Sequence, residues 1–218
     1  MRKVLICCAF ILGSAAQAEE VVIAALGDSL TQGYGLPAEE GFVPQLQAWL
    51  DAEGVEAKIV NAGVSGDTTA GGRARVDWTL TPEVDAMIVM LGGNDMLRGL
   101  DPAQARGNIN DILAAAKRAE VEVLLVGMSA PGNYGAGYKA DFEALYPDLA
   151  EAHGTQFYPD FFTGLLAEEK GAASARSETV QRYFQGDGIH PNAEGVALIV
   201  EDIGPAVAEL AAQAAEIR

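Results

Sequence analysis

Val21-Val22-Ile23-Ala24-Ala25-Leu26-Gly27-Asp28-Ser29-Leu30 is the stretch on which the fold turns. Its six consecutive apolar residues show no polar alternation, which describes a strand buried on both faces, as in a parallel sheet covered by helices. Gly27-Asp28 ends the run and sets Ser29 at the exit of the strand. In open parallel α/β sheets ligands bind outside the carboxyl ends of the strands, so a hydroxyl here is offered to a ligand by rigid backbone. Serine also favours helix N-caps, and on position alone a capping role is the favoured reading of Ser29.

Outward from this strand, helix-like and strand-like segments alternate, with glycine-containing turns after the strands. Phe42, Leu46, Trp49 and Leu50 fall at helical spacing over Phe42 to Ala52, and Ala57 to Val60 reads as a second strand. Val84 to Leu91 reads as a third strand and Val121 to Val126 as a fourth, separated by a helix from Pro102 to Arg118 with proline in its first turn. Tyr138 to Ala152 is predicted helical, Thr155 to Tyr158 is a short fifth strand, and a last helix runs from Asn192 until Gly204-Pro205 interrupts it. The pattern predicts an α/β fold with a five-stranded parallel sheet and helices on both faces. At 218 residues the chain suits a single domain.

The N-terminus has the charged, apolar and small-residue order of a secretory signal: Met1-Arg2-Lys3, then Val4 to Leu12, then Gly13 to Ala18. Cleavage after Ala18 assigns residues 1–18 to a signal peptide, and the apolar stretch is far short of the ~20 residues that span a bilayer. Both cysteines, Cys7 and Cys8, lie inside that stretch, so a mature protein has no disulfide, thiolate nucleophile or cysteine metal site. The formal charge is −17, and loss of Arg2 and Lys3 leaves twelve basic against 31 acidic side chains, a formal −19. Such acidity argues against a nucleic-acid partner and favours a soluble monomer.

Nucleophilic serine catalysis needs a hydroxyl, an imidazole to take its proton, a carboxylate to orient the imidazole, and donors for the oxyanion. Of two histidines, His153 precedes Gly154 at a predicted helix C-terminus, where it complements the helix dipole. His190 lies in Asp187-Gly188-Ile189-His190-Pro191, where an acid three residues ahead can reach one ring nitrogen and leave the other for a hydroxyl. Two further loops follow strands: Val64-Ser65-Gly66-Asp67-Thr68 and Gly92-Gly93-Asn94-Asp95. Gly66 can bring its N–H close to a ligand and Asn94 can supply a carboxamide donor, although each is also an ordinary turn residue.

These four segments, Gly27-Asp28-Ser29-Leu30, Gly63-Val64-Ser65-Gly66-Asp67-Thr68, Gly92-Gly93-Asn94-Asp95 and Asp187-Gly188-Ile189-His190-Pro191, stand in the order of the SGNH hydrolase family, the GDSL esterases and lipases, which the chain resembles over residues 19–218. Leu97-Arg98-Gly99 and Asn133-Tyr134-Gly135 are similar to the secreted multifunctional thioesterase, lysophospholipase and arylesterase branch of that family. The resemblance implies a flavodoxin-like three-layer sandwich. It implies Ser29 as nucleophile, His190 as general base then acid, Asp187 as its orienting partner, and an oxyanion hole of the Ser29 and Gly66 N–H groups with the Asn94 side chain. It implies no cofactor and no metal, a small-molecule acyl ester or lipid substrate, and a groove shaped by loops around Gly71 to Pro82 and Gly132 to Tyr138. Leu30, Met96, Leu97, Tyr134 and Ile189 are the candidate groove residues, with Leu100 nearby.

Three rival readings meet the same residues. A nucleophile elbow of the Gly-x-Ser-x-Gly type fails, because Thr31 stands where the second glycine belongs. Asp28, Asp67 and Asp95 follow three successive strands and could hold a hard cation in a metal-dependent phosphoesterase. A periplasmic binding module could use the same loops without catalysis, and within the hydrolase reading a carbohydrate O-acetyl ester is the alternative substrate.

Overall fold

The computed structural model describes residues 20–166 and 173–217. The proposed signal peptide, residues 1–18, lies outside them. The five strands are β1 (Val21–Gly27), β2 (Ala57–Gly63), β3 (Ala86–Met90), β4 (Glu122–Val126) and β5 (Gln156–Tyr158). All pair in parallel, in the order β2-β1-β3-β4-β5. This is the flavodoxin-like order, and its reversal of direction between β1 and β3 is where such sheets open a crevice for a ligand.

The strands divide as their sequences require. In β1 and β3 every residue but Val22 is buried, so helices cover both faces. β2 alternates instead, with Lys58 and Val60 exposed on the sheet edge, where a lysine discourages pairing with another chain. Helices α2 (Phe42–Ala52) and α9 (Ala193–Ile217) pack together on one face; α3 (Thr69–Thr79), α5 (Pro102–Arg118) and α6 (Ala136–His153) pack on the other. Short helices α1 (Ser29–Gln32) and α4 (Gly93–Leu97) open directly after β1 and β3, while α7 (Thr163–Leu166) and α8 (Ala173–Tyr183) precede the last loop. Phe42, Leu46 and Leu50 of α2 meet Ile199, Ile203, Val207 and Leu210 of α9 in the core, each at one-turn or two-turn spacing.

Two expectations are corrected. Helix α9 runs through Gly204-Pro205 without interruption. Proline removes the hydrogen bond to the carbonyl of Glu201. Both residues are exposed, so water replaces that bond on the solvent side while the buried side stays packed. Gly204 faces inward against Trp49, whose ring would lie 2.6 Å from any Cβ placed there. The segment from Gly71 is helix rather than loop, because α3 is capped by Thr68 and its first N–H at Thr69 donates to the buried Asp95 carboxylate at 2.8 Å. A negative charge at a helix N-terminus is stabilising, and it offsets the low helix propensity of Gly71-Gly72.

Candidate active site

β1 delivers Ser29 to the C-terminal edge of the sheet, and the residue before it settles what the serine is free to do. Asp28, not Ser29, is the N-cap of α1, accepting the Leu30 N–H at 3.0 Å. The hydroxyl is thereby left to another partner, and it meets His190 Nε2 at 2.8 Å. His190 Nδ1 lies 2.6 Å from Asp187 Oδ2, and Asp187 Oδ1 accepts the N–H groups of Ile189 at 2.9 Å and His190 at 3.0 Å. Partial desolvation pushes the Asp187 carboxyl up, but the hydrogen bonds from the His190 ring and the two backbone N–H groups prevail and bring it down to about 2. An ionised carboxylate only accepts, so Nδ1 carries the ring proton and Nε2 presents its lone pair to the serine O–H.

The loop bearing the histidine is rigid for its length. Phe184 and Pro191 bridge as an antiparallel pair, the Gln185 N–H donates to the His190 carbonyl at 2.8 Å, and the Gln185 carboxamide donates to the Tyr34 and Pro191 carbonyls. Tyr34, from the loop after α1, lays its ring 4.8 Å from the imidazole at a tilt of 41°. Loop residues 161 positions from the serine are thus tied back to the nucleophile's own segment.

The remaining predicted residues surround this pair. Val64 to Asp67 forms a turn closed by the Asp67 N–H on the Val64 carbonyl at 3.0 Å, with Gly66 at φ +83°, a conformation that side-chain-bearing residues rarely adopt. Among the described residues neither the Ser29 nor the Gly66 N–H donates to another protein group. Asn94, in α4, directs Nδ2 to Asp28 Oδ2 at 3.2 Å and retains a second N–H on the same nitrogen. Asp28 is buried, and that burial raises its carboxyl above the usual range despite the Leu30 and Asn94 hydrogen bonds and the nearby His190.

The three post-strand aspartates do not converge. Asp28 is bonded to Leu30 and Asn94, Asp67 to Arg75, and Asp95 to the N–H and hydroxyl of Thr69. Among the described residues no group of three or more histidine, cysteine or acidic side chains is disposed to hold a metal ion. His153 closes α6 ahead of a left-handed Gly154, as its sequence position predicts, and bonds Asn110 at 2.9 Å far from the serine.

Ser29 and His190 share a small crevice with Tyr34 and Pro191, and adjoining it through Leu30 opens an apolar cavity of about 300 Å³. Leu30, Met96, Leu97 and Ile189 line it as expected, together with Met128, Phe162, Leu165, Val180 and Phe184, whose apolar character alone reads as core. Tyr134 is not in the lining; its hydroxyl donates to the Leu97 carbonyl at 3.3 Å and its ring covers Gly99. A larger cleft of about 420 Å³ between α3 and α5 is lined by Arg73, Asp77, Asp111 and Arg118 and contains neither nucleophile nor imidazole.

Comparison with known proteins finds relatives over most of the chain. The sequence profile of the GDSL-like Lipase/Acylhydrolase family matches residues 25–198. The chain is 36% identical to Esterase TesA of Pseudomonas aeruginosa over 195 residues, covering 89% of this chain and 91% of that protein. It is 34% identical to the Thioesterase 1/protease 1/lysophospholipase L1 of Escherichia coli K12 over 188 residues, covering 86% and 82%. Its structure superposes on that of AlinE4, described as an SGNH-hydrolase family esterase, with a TM-score of 0.68 at 41% identity, covering 89% of this chain and 98% of the other.

Proposed function

The chain belongs to the GDSL-like lipase/acylhydrolase family, a family of serine ester hydrolases, and from that premise we propose that it hydrolyses acyl esters through Ser29, His190 and Asp187. The observation that carries the reading is the continuous hydrogen-bond line from Ser29 Oγ through the imidazole to Asp187, at 2.8 and 2.6 Å, with an apolar cavity adjoining it through Leu30, Gly188 and Ile189. A non-catalytic binding module has no use for such a line.

In this reading Ser29 Oγ attacks the acyl carbonyl while its proton passes to His190 Nε2. The carbonyl oxygen becomes an oxyanion held by the Ser29 and Gly66 N–H groups and the free Asn94 N–H. Donors of this kind are worth about 2.7 to 4 kcal/mol each in other hydrolases. Collapse of the intermediate expels the alcohol or thiol, which takes the proton from His190 and leaves the acyl group on Ser29. Water then attacks the acyl-enzyme with His190 as base, and Ser29 is regenerated as the carboxylic acid departs. Asp187 holds the ring tautomer and stabilises the imidazolium.

The cavity supports an acyl chain as the recognised group, since leucine, methionine, phenylalanine, valine and isoleucine dominate its walls, with Ser129, Asp160 and Thr179 as their polar members. Each methylene buried there is worth about 0.8 kcal/mol, or roughly a fourfold gain in kcat/KM, until the cavity fills. The reading includes export of the mature enzyme, residues 19–218, after removal of residues 1–18. No helix among the described residues is long and apolar enough to cross a membrane.

A p-nitrophenyl ester series from acetate to palmitate, run on the enzyme and on Ser29→Ala, tests this. The expected result is a rise in kcat/KM beyond acetate to a medium-chain optimum, and near-complete loss in Ser29→Ala. Full activity in Ser29→Ala refutes the nucleophile, and a preference for acetate alone moves the substrate to a carbohydrate O-acetyl ester.

A further inference from the structure

We infer that Arg75 is a positioning residue that sets the two backbone donors of the oxyanion hole, an inference that rests on the reading of Ser29 and Gly66 given above. Arg75 sits in the second turn of α3, with its side chain 22% exposed. Its guanidinium makes three directed bonds: Nε to Asp67 Oδ2 at 2.6 Å, Nη1 to the Ala62 carbonyl at 2.6 Å, and Nη2 to the Gly27 carbonyl at 2.8 Å. Gly27 is the last residue of β1, two before Ser29. Ala62 is next to last in β2, and Asp67 directly follows Gly66.

One planar group therefore joins the exits of two adjacent strands that pair Leu26 with Ala62 and Gly27 with Gly63. A carbonyl oxygen has two lone pairs, and that of Gly27 accepts the Val64 N–H at 3.1 Å with one and Arg75 with the other. Arginine fits such a site because its donors form a rigid fork; lysine is a point charge on a flexible stem. A plain ion pair with Asp67 would account for one of the three bonds and leave the two carbonyl bonds without purpose. On the far side of the same turn, Arg98 Nη2 donates to the Gly66 carbonyl at 2.9 Å, so the Gly66 peptide is held from both sides.

Donors for a developing oxyanion act only when fixed in advance, within roughly 0.5 Å of their working positions. Release of the Arg75 bonds loosens the exits of β1 and β2 against each other, leaving the ladder and the Val64 N–H to the Gly27 carbonyl as their ties, while the apolar cavity, which takes only Leu30 from the segment after β1, keeps its walls. The loss therefore falls on the transition state and not on substrate binding.

The test compares wild type, Arg75→Met, Arg75→Lys and the control Arg73→Met, whose arginine pairs with Asp111 on the outer side of the same helix. Two readouts are taken: kcat and KM on a medium-chain p-nitrophenyl ester, and inhibition by an alkyl trifluoromethyl ketone against the matching methyl ketone. Ser29 adds to the fluorinated ketone to give a hemiketal oxyanion, its proton passing to His190, whereas the methyl ketone reads ground-state binding. Arg75→Met is expected to lower kcat about 10 to 100-fold with KM within threefold, less than the ~10²–10³ lost when a donor is deleted outright. Its trifluoromethyl ketone affinity falls by the same factor and its methyl ketone affinity holds. Arg75→Lys is expected to lie between Arg75→Met and wild type, and Arg73→Met to match wild type. Should Arg75→Met not fold, the affinity ratio in Arg75→Lys decides. An Arg75 variant that folds and keeps wild-type kcat, or that loses affinity for both ketones together, overturns the inference. Failure of the underlying site shows separately, as a wild-type enzyme that does not distinguish the two ketones.

Discussion

Replacing Asp187 by asparagine separates the orienting role of the carboxylate from mere occupancy of its place. Asp187 uses both oxygens, Oδ1 toward the Ile189 and His190 N–H groups at 2.9 and 3.0 Å and Oδ2 toward His190 Nδ1 at 2.6 Å. An asparagine has one oxygen for these two sides. With the oxygen on the backbone donors, its NH₂ faces Nδ1, the ring must accept there, and the ring proton moves to Nε2. That nitrogen then donates to Ser29 and cannot take its proton. Flipping the amide restores one bond to the ring but breaks two and sets NH₂ against two N–H groups, a net cost of about 1 to 3 kcal/mol at roughly 1 kcal/mol per bond. Loss of the negative charge beside the imidazolium adds about 1.5 to 3 kcal/mol, and the sum of about 2.5 to 6 kcal/mol corresponds to a fall in kcat of about 10² to 10⁴, whose upper end is the scale of the same change in other Ser-His-Asp enzymes. Asp187→Ala carries no misdirecting amide and leaves the ring free to tautomerise. It is expected to retain about tenfold more activity than Asp187→Asn, at roughly the equilibrium factor of one hydrogen bond. The assay is kcat on a soluble short-chain p-nitrophenyl ester near neutral pH, with ring-nitrogen NMR reporting the tautomer. An asparagine variant as active as the alanine variant, or within tenfold of wild type, refutes the reasoning.

The same carboxyl predicts an acid dependence of stability. Its folded value, about 2, lies below the ordinary 3.8, so its contribution is present above pH 4 and lost as pH falls through 2. At face value this is about 2.5 kcal/mol. The side chain is 38% exposed, and solvent screening reduces the expected contribution to about 1 kcal/mol. Denaturant titrations of wild type and Asp187→Ala are expected to differ by that amount at pH 6 and to converge below pH 2; a gap that persists in acid contradicts the assignment. Gly204→Ala, which sets a methyl 2.6 Å from the Trp49 ring, is expected to lose about 1 to 2 kcal/mol after allowing for the better helix propensity of alanine, and to melt about 2 to 8 °C lower. A rise in melting temperature would show that Trp49 yields freely.

What the sequence disclosed and what it withheld follow the range of the forces involved. β1 and β3 are legible because burial on both faces imposes an unbroken apolar run, and α5 because Pro102 and its periodic alanines and isoleucines are local signals. Ser29, Gly66 and Asn94 stand out in the sequence because each follows a strand, and Asp187 and His190 because an acid three residues ahead of a histidine can reach its ring. The strand order is not written in any segment, since pairing depends on partners distant along the chain. Helix α3 escapes notice because its support, the Asp95 carboxylate, comes from 26 residues away. Pro205 misleads because the local rule does not know which face of α9 meets water. The distal lining of the cavity, Met128, Phe162, Leu165, Val180 and Phe184, is composed like any core and is distinguished only by the space left between its members. Arg75 reads as one more solvated charge until its three acceptors are seen.

The parts of the site are unevenly distributed in time as well as in space. A chain emerging from synthesis, or refolding from its N-terminus, acquires Ser29, Gly66 and Asn94 within its first 94 residues, along with the three strands that carry them. His190 comes last, on a loop tied by the Phe184–Pro191 bridge, the Gln185 bond to the Tyr34 carbonyl, and the packing of α9 against α2. On the proposed mechanism Ser29 has no partner to accept its proton until that final segment seats. Recovery of ester hydrolysis during refolding is then expected to follow the arrival of the C-terminal helix rather than the assembly of the sheet.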